Sequence, residues 1–153
     1  MASIWAGLLA VCVVAAGLLL RRILQHLREE TGLDHARCSF RLGREWLEAR
    51  FLSELGKLDP MERLRWDDAH WHDEIVWARD RQTRRLLALV GVHFDADVLQ
   101  EIPGYPPRHA TALFEYRRGR WHAEGKRLDE IRPDEAFLRL QRFEPIALPH
   151  RPV

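Results

Sequence analysis

The sequence predicts an α+β fold in which an N-terminal transmembrane helix leads to a helix packed on a four-stranded antiparallel meander with a short C-terminal helix. Three observations predict it. Ala2 to Leu20 reads ASIWAGLLAVCVVAAGLLL without one charged residue; Leu47, Phe51 and Leu55 recur at i, i+4 and i+8; and from Glu74 to Lys126 apolar and polar residues alternate between turn signals.

As a helix the uncharged run spans roughly 28 Å, about the thickness of a bilayer core. A secretory signal would place basic residues before a shorter apolar stretch, whereas here Arg21 and Arg22 follow it. A lipoprotein signal would need a small residue where Val11 precedes Cys12. A soluble core helix of this length would show a polar face, and none is present. The run therefore reads as a single-pass signal-anchor through which residues 2–20 meet the membrane. Arg21, Arg22, Arg28, Arg37 and Arg41 all lie on its C-terminal side, which predicts a cell-membrane protein whose C-terminal domain is cytoplasmic. The expected organisation is an anchor over 1–22, a juxtamembrane helix or linker over 23–35, an α+β domain over 36–145 and a disordered tail over 146–153.

Beyond the anchor, Ile23, Leu24 and Leu27 continue an apolar stripe that Gly32 is expected to stop. A second helix is predicted over about 41–55, ended by Gly56 and Pro60, with Pro60 opening a short helical turn through MERLRW. EIVWARD and RRLLALVGVHF, separated by a polar turn, form the first hairpin. ATALFEYRRGRWHAEGK folds back about Arg118-Gly119 and forms the second. Its expected register pairs Tyr116 with Trp121, Phe114 with Ala123 and Ala112 with Gly125 on a core face. Glu115 then opposes His122, and Leu113 opposes Glu124, on a wet face. The segment between the hairpins holds Pro103, Gly104, Pro106 and Pro107 and is expected to be a surface loop. RPDEAFLRLQRF predicts a short helix with Pro133 in its first turn. Over about residues 40–142 this element order resembles the cystatin-like and nuclear transport factor 2-like folds. The resemblance is one of outline and carries no site residues with it.

Composition excludes several functions. The chain has 24 basic and 23 acidic residues, interleaved, for a net charge of +1, so no excess positive charge points to nucleic acid. Only Lys57 and Lys126 are lysines, which predicts the coding bias of a GC-rich bacterial genome. The two cysteines, Cys12 and Cys38, cannot staple the domain because one lies in the expected span. No phosphate loop or nucleophile motif is present.

The segment Asp67–Glu74, DDAHWHDE, is the one place where metal-ligating residue types concentrate. On a strand, Asp68, His70 and His72 would share a face, and two imidazoles with a carboxylate can hold zinc or iron. A third protein ligand would have to come from His93, His109 or His122. The competing reading is that the segment leads into a strand and is solvated. Glu115 with His122 is a candidate acid–base couple across the second hairpin. Trp46, Trp66, Trp71, Trp77 and Trp121 are expected in the core or around a cavity in the curve of the sheet. The function expected is that of a binding or accessory module, a membrane-held tether with a protein partner, no cofactor and no catalytic residues. The alternative is a ligand- or metal-binding domain, possibly enzymatic, that uses Asp67–Glu74 and a pocket between helix and sheet.

Overall fold

The computed structural model describes residues 16–21, 32–95 and 109–146. The chain divides into two compact units, Met1–Arg41 and Leu42–Val153. In the first, residues 16–21 are helical and exposed, while residues 1–15, which carry most of the expected anchor, lie outside the described residues. Among the described residues no helix is long and apolar enough to cross a membrane. The expected stop at Gly32 is corrected, because Gly32 belongs to a helical run over 32–42 that ends in a turn at Gly43. The apolar stripe over 22–31, the loop over 96–108 and the tail over 147–153 also lie outside the described residues.

The second unit is an α+β domain. It runs α1 (Arg44–Leu58), α2 (Pro60–Asp67), β1 (His70–Asp80), β2 (Leu86–His93), β3 (His109–Arg117), β4 (Arg120–Asp129), α3 (Ala136–Arg139) and β5 (Phe143–Pro145). The sheet is antiparallel and five-stranded, in the order β4-β3-β2-β1-β5, so the expected four-stranded meander gains an edge strand. β5 pairs only Phe143, Glu144 and Pro145 with Asp80, Arg79 and Ala78, too short a run to show alternation. Its proline sits where an edge strand needs no donor. The C-terminal helix shrinks in exchange to one turn. Pro133 falls in the turn before it, and Leu140 ends it in extended conformation (φ −116°, ψ 102°).

α1 forms where its period predicted, displaced three residues toward the C-terminus at each end of the expected span, and it buries Leu47, Phe51 and Leu55. Asp59 then caps α2, its side chain accepting from the backbone N–H groups of Met61 (3.0 Å) and Glu62 (3.3 Å). Pro60 supplies the first helical residue, where a missing N–H costs nothing. Trp66 of α2 and Phe51 of α1 meet at 5.0 Å between ring centroids. Phe114 of β3 lies 5.7 Å from Phe51, and Phe94 lies 5.4 Å from Trp66. These rings, with Trp71, fill the inner face of the sheet.

Two irregularities interrupt the ladders of β1 and β4. In β1 the register shifts between Trp71 and Ile75, leaving His72, Asp73 and Glu74 opposite Gly91 alone. In β4 it shifts between Ala123 and Arg127, so Ala112 pairs with Arg127 and not with Gly125 as the alternation suggested. Such bulges increase local twist and bend a strand. Each meets one end of α1. Arg44 in its first turn donates from Nη1 to the Asp73 carbonyl at 2.9 Å and from Nη2 to the His72 carbonyl, while its Nε binds Glu48 at 2.6 Å. At the other end Gly125 (φ 68°) lies under the backbone of Leu55. Closer to the turn the expected register holds, with Tyr116 opposite Trp121, Glu115 opposite His122 and Phe114 opposite Ala123. Arg118 and Gly119 both take positive φ (50° and 77°), the twist-matched geometry of a two-residue hairpin.

The outer face is not simply wet, which corrects the one-sided expectation. Ala78, Leu87 and Leu89 on it are covered by Ala136 and Phe143, with Leu113, Leu128 and Phe137 packed around them. The buried Thr111 hydroxyl donates to the Ile131 carbonyl at 2.6 Å and fixes this C-terminal segment over the sheet.

Candidate functional site

Of Asp68, His70 and His72, the two histidines share the outer face of the sheet and Asp68 does not join them. Asp68 caps the C-terminal end of α2 with φ −94° and ψ 8°, outside the strand. His70 opens β1 and places Nε2 3.0 Å from the Asp95 carboxylate, an exposed pair just past the end of β2. His72 sits in the bulge and still lies on the outer face, lining a cavity with Glu74, Val76 and the His93 that faces His70. Among the described residues no group of three or more histidine, cysteine, aspartate or glutamate side chains is placed to hold a metal ion.

The histidines nevertheless gather in a way that spacing alone did not reveal. His70 pairs across the ladder with His93, and His93 with His109, a lateral row over three strands. His72, His93 and His109 line a cavity of about 540 Å³ on the outer face, together with Glu74, Arg132 and Asp134 and with apolar walls from Val76, Val92 and Pro133. Gly91 makes room for it, since a Cβ there would come within 3.2 Å of His72 Nδ1. The signal in the sequence was positional: His93 ends one strand and His109 begins the next, and such ends adjoin in an antiparallel meander.

His122 lies at the opposite end of the sheet, where the expected acid–base couple does not form. Glu115 is held by Arg85 at 2.6 Å, and the His122 imidazole makes no hydrogen bond among the described residues. Glu124 binds Lys126 at 2.7 Å and also pairs with Arg117. The hydrogen bond from Lys126 is the main reason its carboxyl is held below the usual range, against the opposing effect of burial. Asp80 is the buried carboxylate of this end. Burial alone would raise it, but hydrogen bonds from Arg142 (2.8 Å to Nε) and from the backbone N–H groups of Thr83 and Gln82 outweigh burial and lower it.

Between α1 and the sheet the aromatic side chains pack ring against ring, which is the core arrangement of the two expected. Trp66, Trp77 and Trp121 are buried, and Trp71 packs 5.8 Å from Trp66. Trp46 differs: it is exposed, with the Arg50 guanidinium 5.4 Å over its ring. The α1–α2 corner is a second surface that alternation could not flag. Leu58, Met61 and Leu64 are exposed by 72, 72 and 61 %. At about 100° per helical residue, Met61 and Leu64 point away from Trp66, so the helix is apolar on both sides. Comparison with protein-family models, curated proteins and solved structures finds no match to this chain.

Proposed function

We propose that this chain is a binding or accessory module, held at a membrane by residues 2–20, whose cytoplasmic α+β domain takes a protein partner on the α1–α2 corner. The observation that carries the reading is the outward apolar trio Leu58, Met61 and Leu64. Large side chains gathered on one corner and rimmed by charge are how protein contacts present themselves, because the partner recovers the hydrophobic free energy that solvent exposure forgoes. The rim is supplied by Lys57–Glu54 at 2.8 Å and Arg63–Asp67 at 3.8 Å. Binding is favoured over catalysis because the candidate base His122 and the carboxylate of Glu115 form no couple, Glu115 being held by Arg85.

The test uses the full chain, tagged at its C-terminus and gently solubilised. One protein should co-purify in stoichiometric amount with the parent and be lost with the Met61→Asp, Leu64→Asp variant, whose inner face is untouched. A partner retained by that variant sinks the assignment of the surface. The tether is tested separately. Cys38 is exposed, so an impermeant thiol reagent should fail to label it in intact cells and should label it after lysis; labelling in intact cells would reverse the orientation.

A further inference from the structure

We propose that the turn end of the sheet binds a phosphate-bearing ligand, through the arginines of the β1–β2 and β3–β4 turns. Two turns distant in sequence are adjacent there, and a cavity of about 610 Å³ lies between them, lined by Arg84, Arg85, Arg117 and Arg118 with His122 and Tyr116. No carboxylate lines it. The charge balance of the whole chain conceals this concentration, since neither turn alone is a basic block.

The guanidiniums are anchored but not used up. Arg84 gives Nη1 to Glu144 at 2.9 Å, Arg85 gives Nη1 to Glu115 at 2.6 Å, and Arg117 gives Nη2 to Glu124. Each holds five N–H donors in a planar fork, so each keeps donors beyond its ion pair. Arg117 Nε is buried and forms no hydrogen bond, its nearest carboxylate oxygen, Glu115 Oε2, being 3.8 Å away. Arg118 has no ion-pair partner among the described residues. Backbone conformation adds an independent indication. Arg84 and Arg118 both hold left-handed φ (58° and 50°), which glycine or asparagine adopts at less cost, yet each turn places arginine there.

Charge and hydrogen-bond geometry then select the ligand. Several guanidinium forks converging from two sides match the oxygens of a phosphate by paired N–H···O bonds. The cavity is larger than one phosphate needs and lies in the range of about 300–1,000 Å³ that encloses a whole small ligand. Its Leu86 and Tyr116 walls suit an organic portion beyond the phosphate. The shared chemistry is a phosphate ester or anhydride, whether on a soluble molecule or on a lipid headgroup.

Calorimetry on the full chain in an uncharged detergent tests this with inorganic pyrophosphate, dihexanoyl phosphatidic acid and dihexanoyl phosphatidylcholine as probes. Saturable one-to-one binding of pyrophosphate points to a soluble source. Binding of phosphatidic acid without pyrophosphate or phosphatidylcholine points to a headgroup, and either result supports the site. Arg118→Gly is the informative variant, because glycine accepts the left-handed backbone. It should melt no lower than the parent while binding the responding probe at least tenfold more weakly, and Arg139→Gln, outside the cavity, should bind as the parent does. If neither anionic probe binds, or if Arg118→Gly together with Arg84→Gln leaves affinity unchanged, the proposal is wrong. It is equally wrong if a single-stranded oligonucleotide binds more tightly than both probes with affinity that grows with length.

Discussion

Gly125→Ala should lower the stability of the domain by about 2–5 kcal/mol, while Gly119→Ala should cost about 1–2 kcal/mol. Both glycines hold positive φ, 68° and 77°, so both alanines meet the same backbone penalty. They differ in what surrounds the new methyl group. At Gly119 no atom lies within 4 Å, whereas at Gly125 the Cβ would sit 2.9 Å from the Leu55 nitrogen and 3.1 Å from its Cα. Those are backbone atoms of α1, and they cannot rotate aside. To admit the methyl group the helix must lift from β4, loosening Leu55, which is fully buried, and then Phe51 one turn earlier. The excess cost at Gly125 over Gly119 is therefore the energy of the helix–bulge contact. Urea denaturation of the two variants beside the parent measures it, and equal midpoints for the two would show that α1 does not rest on this bulge.

The same glycine marks where sequence reading stopped being sufficient. The hairpin register was legible near Arg118-Gly119 because a two-residue turn fixes which residues face each other and alternation carries that pairing outward. It held through Phe114 and Ala123, then failed at Ala112. An isolated glycine in a strand pattern is itself a bulge signal, but how many residues the bulge absorbs depends on the helix above it. The bulge in β1 was less legible still. The residue that satisfies its carbonyls, Arg44, belongs to α1, 28 and 29 positions away in sequence. That bulge holds His72, Asp73 and Glu74, so the conformation of the DDAHWHDE segment was not contained in the segment. α1 and its buried residues were legible because a helix displays its core face at fixed spacing, whatever it packs on. β5 was not, because three paired residues cannot establish a period.

Replacing Asp80 by alanine should cost about 2–3 kcal/mol at neutral pH, through the loss of hydrogen bonds to a charged acceptor at the junction of three segments. Asp80 is 3 % exposed and joins the β1–β2 turn, through Gln82 and Thr83, to the segment entering β5, through Arg142. The figure sits below that for a fully buried pair because the Arg142 side chain is 55 % exposed and can return its charge to water. Asp80→Asn separates the two contributions. Asparagine can still accept from the turn N–H groups but carries no charge to meet Arg142, so it should cost less than alanine. The pH dependence follows from the lowered carboxyl. A group whose folded pKa lies below its unfolded value, about 3.9 for aspartate, contributes stability that is complete above the unfolded value and lost as pH falls through the folded one. The parent should therefore exceed Asp80→Asn by a constant margin from neutrality down to about pH 5, a margin that shrinks in more acid solution as the carboxyl takes up its proton. Guanidinium denaturation of both proteins across that range reads the margin directly. A margin that instead widened below pH 4 would mean that the protonated carboxyl is the stabilising form and that the pairing with Arg142 does not hold the C-terminal edge of the sheet.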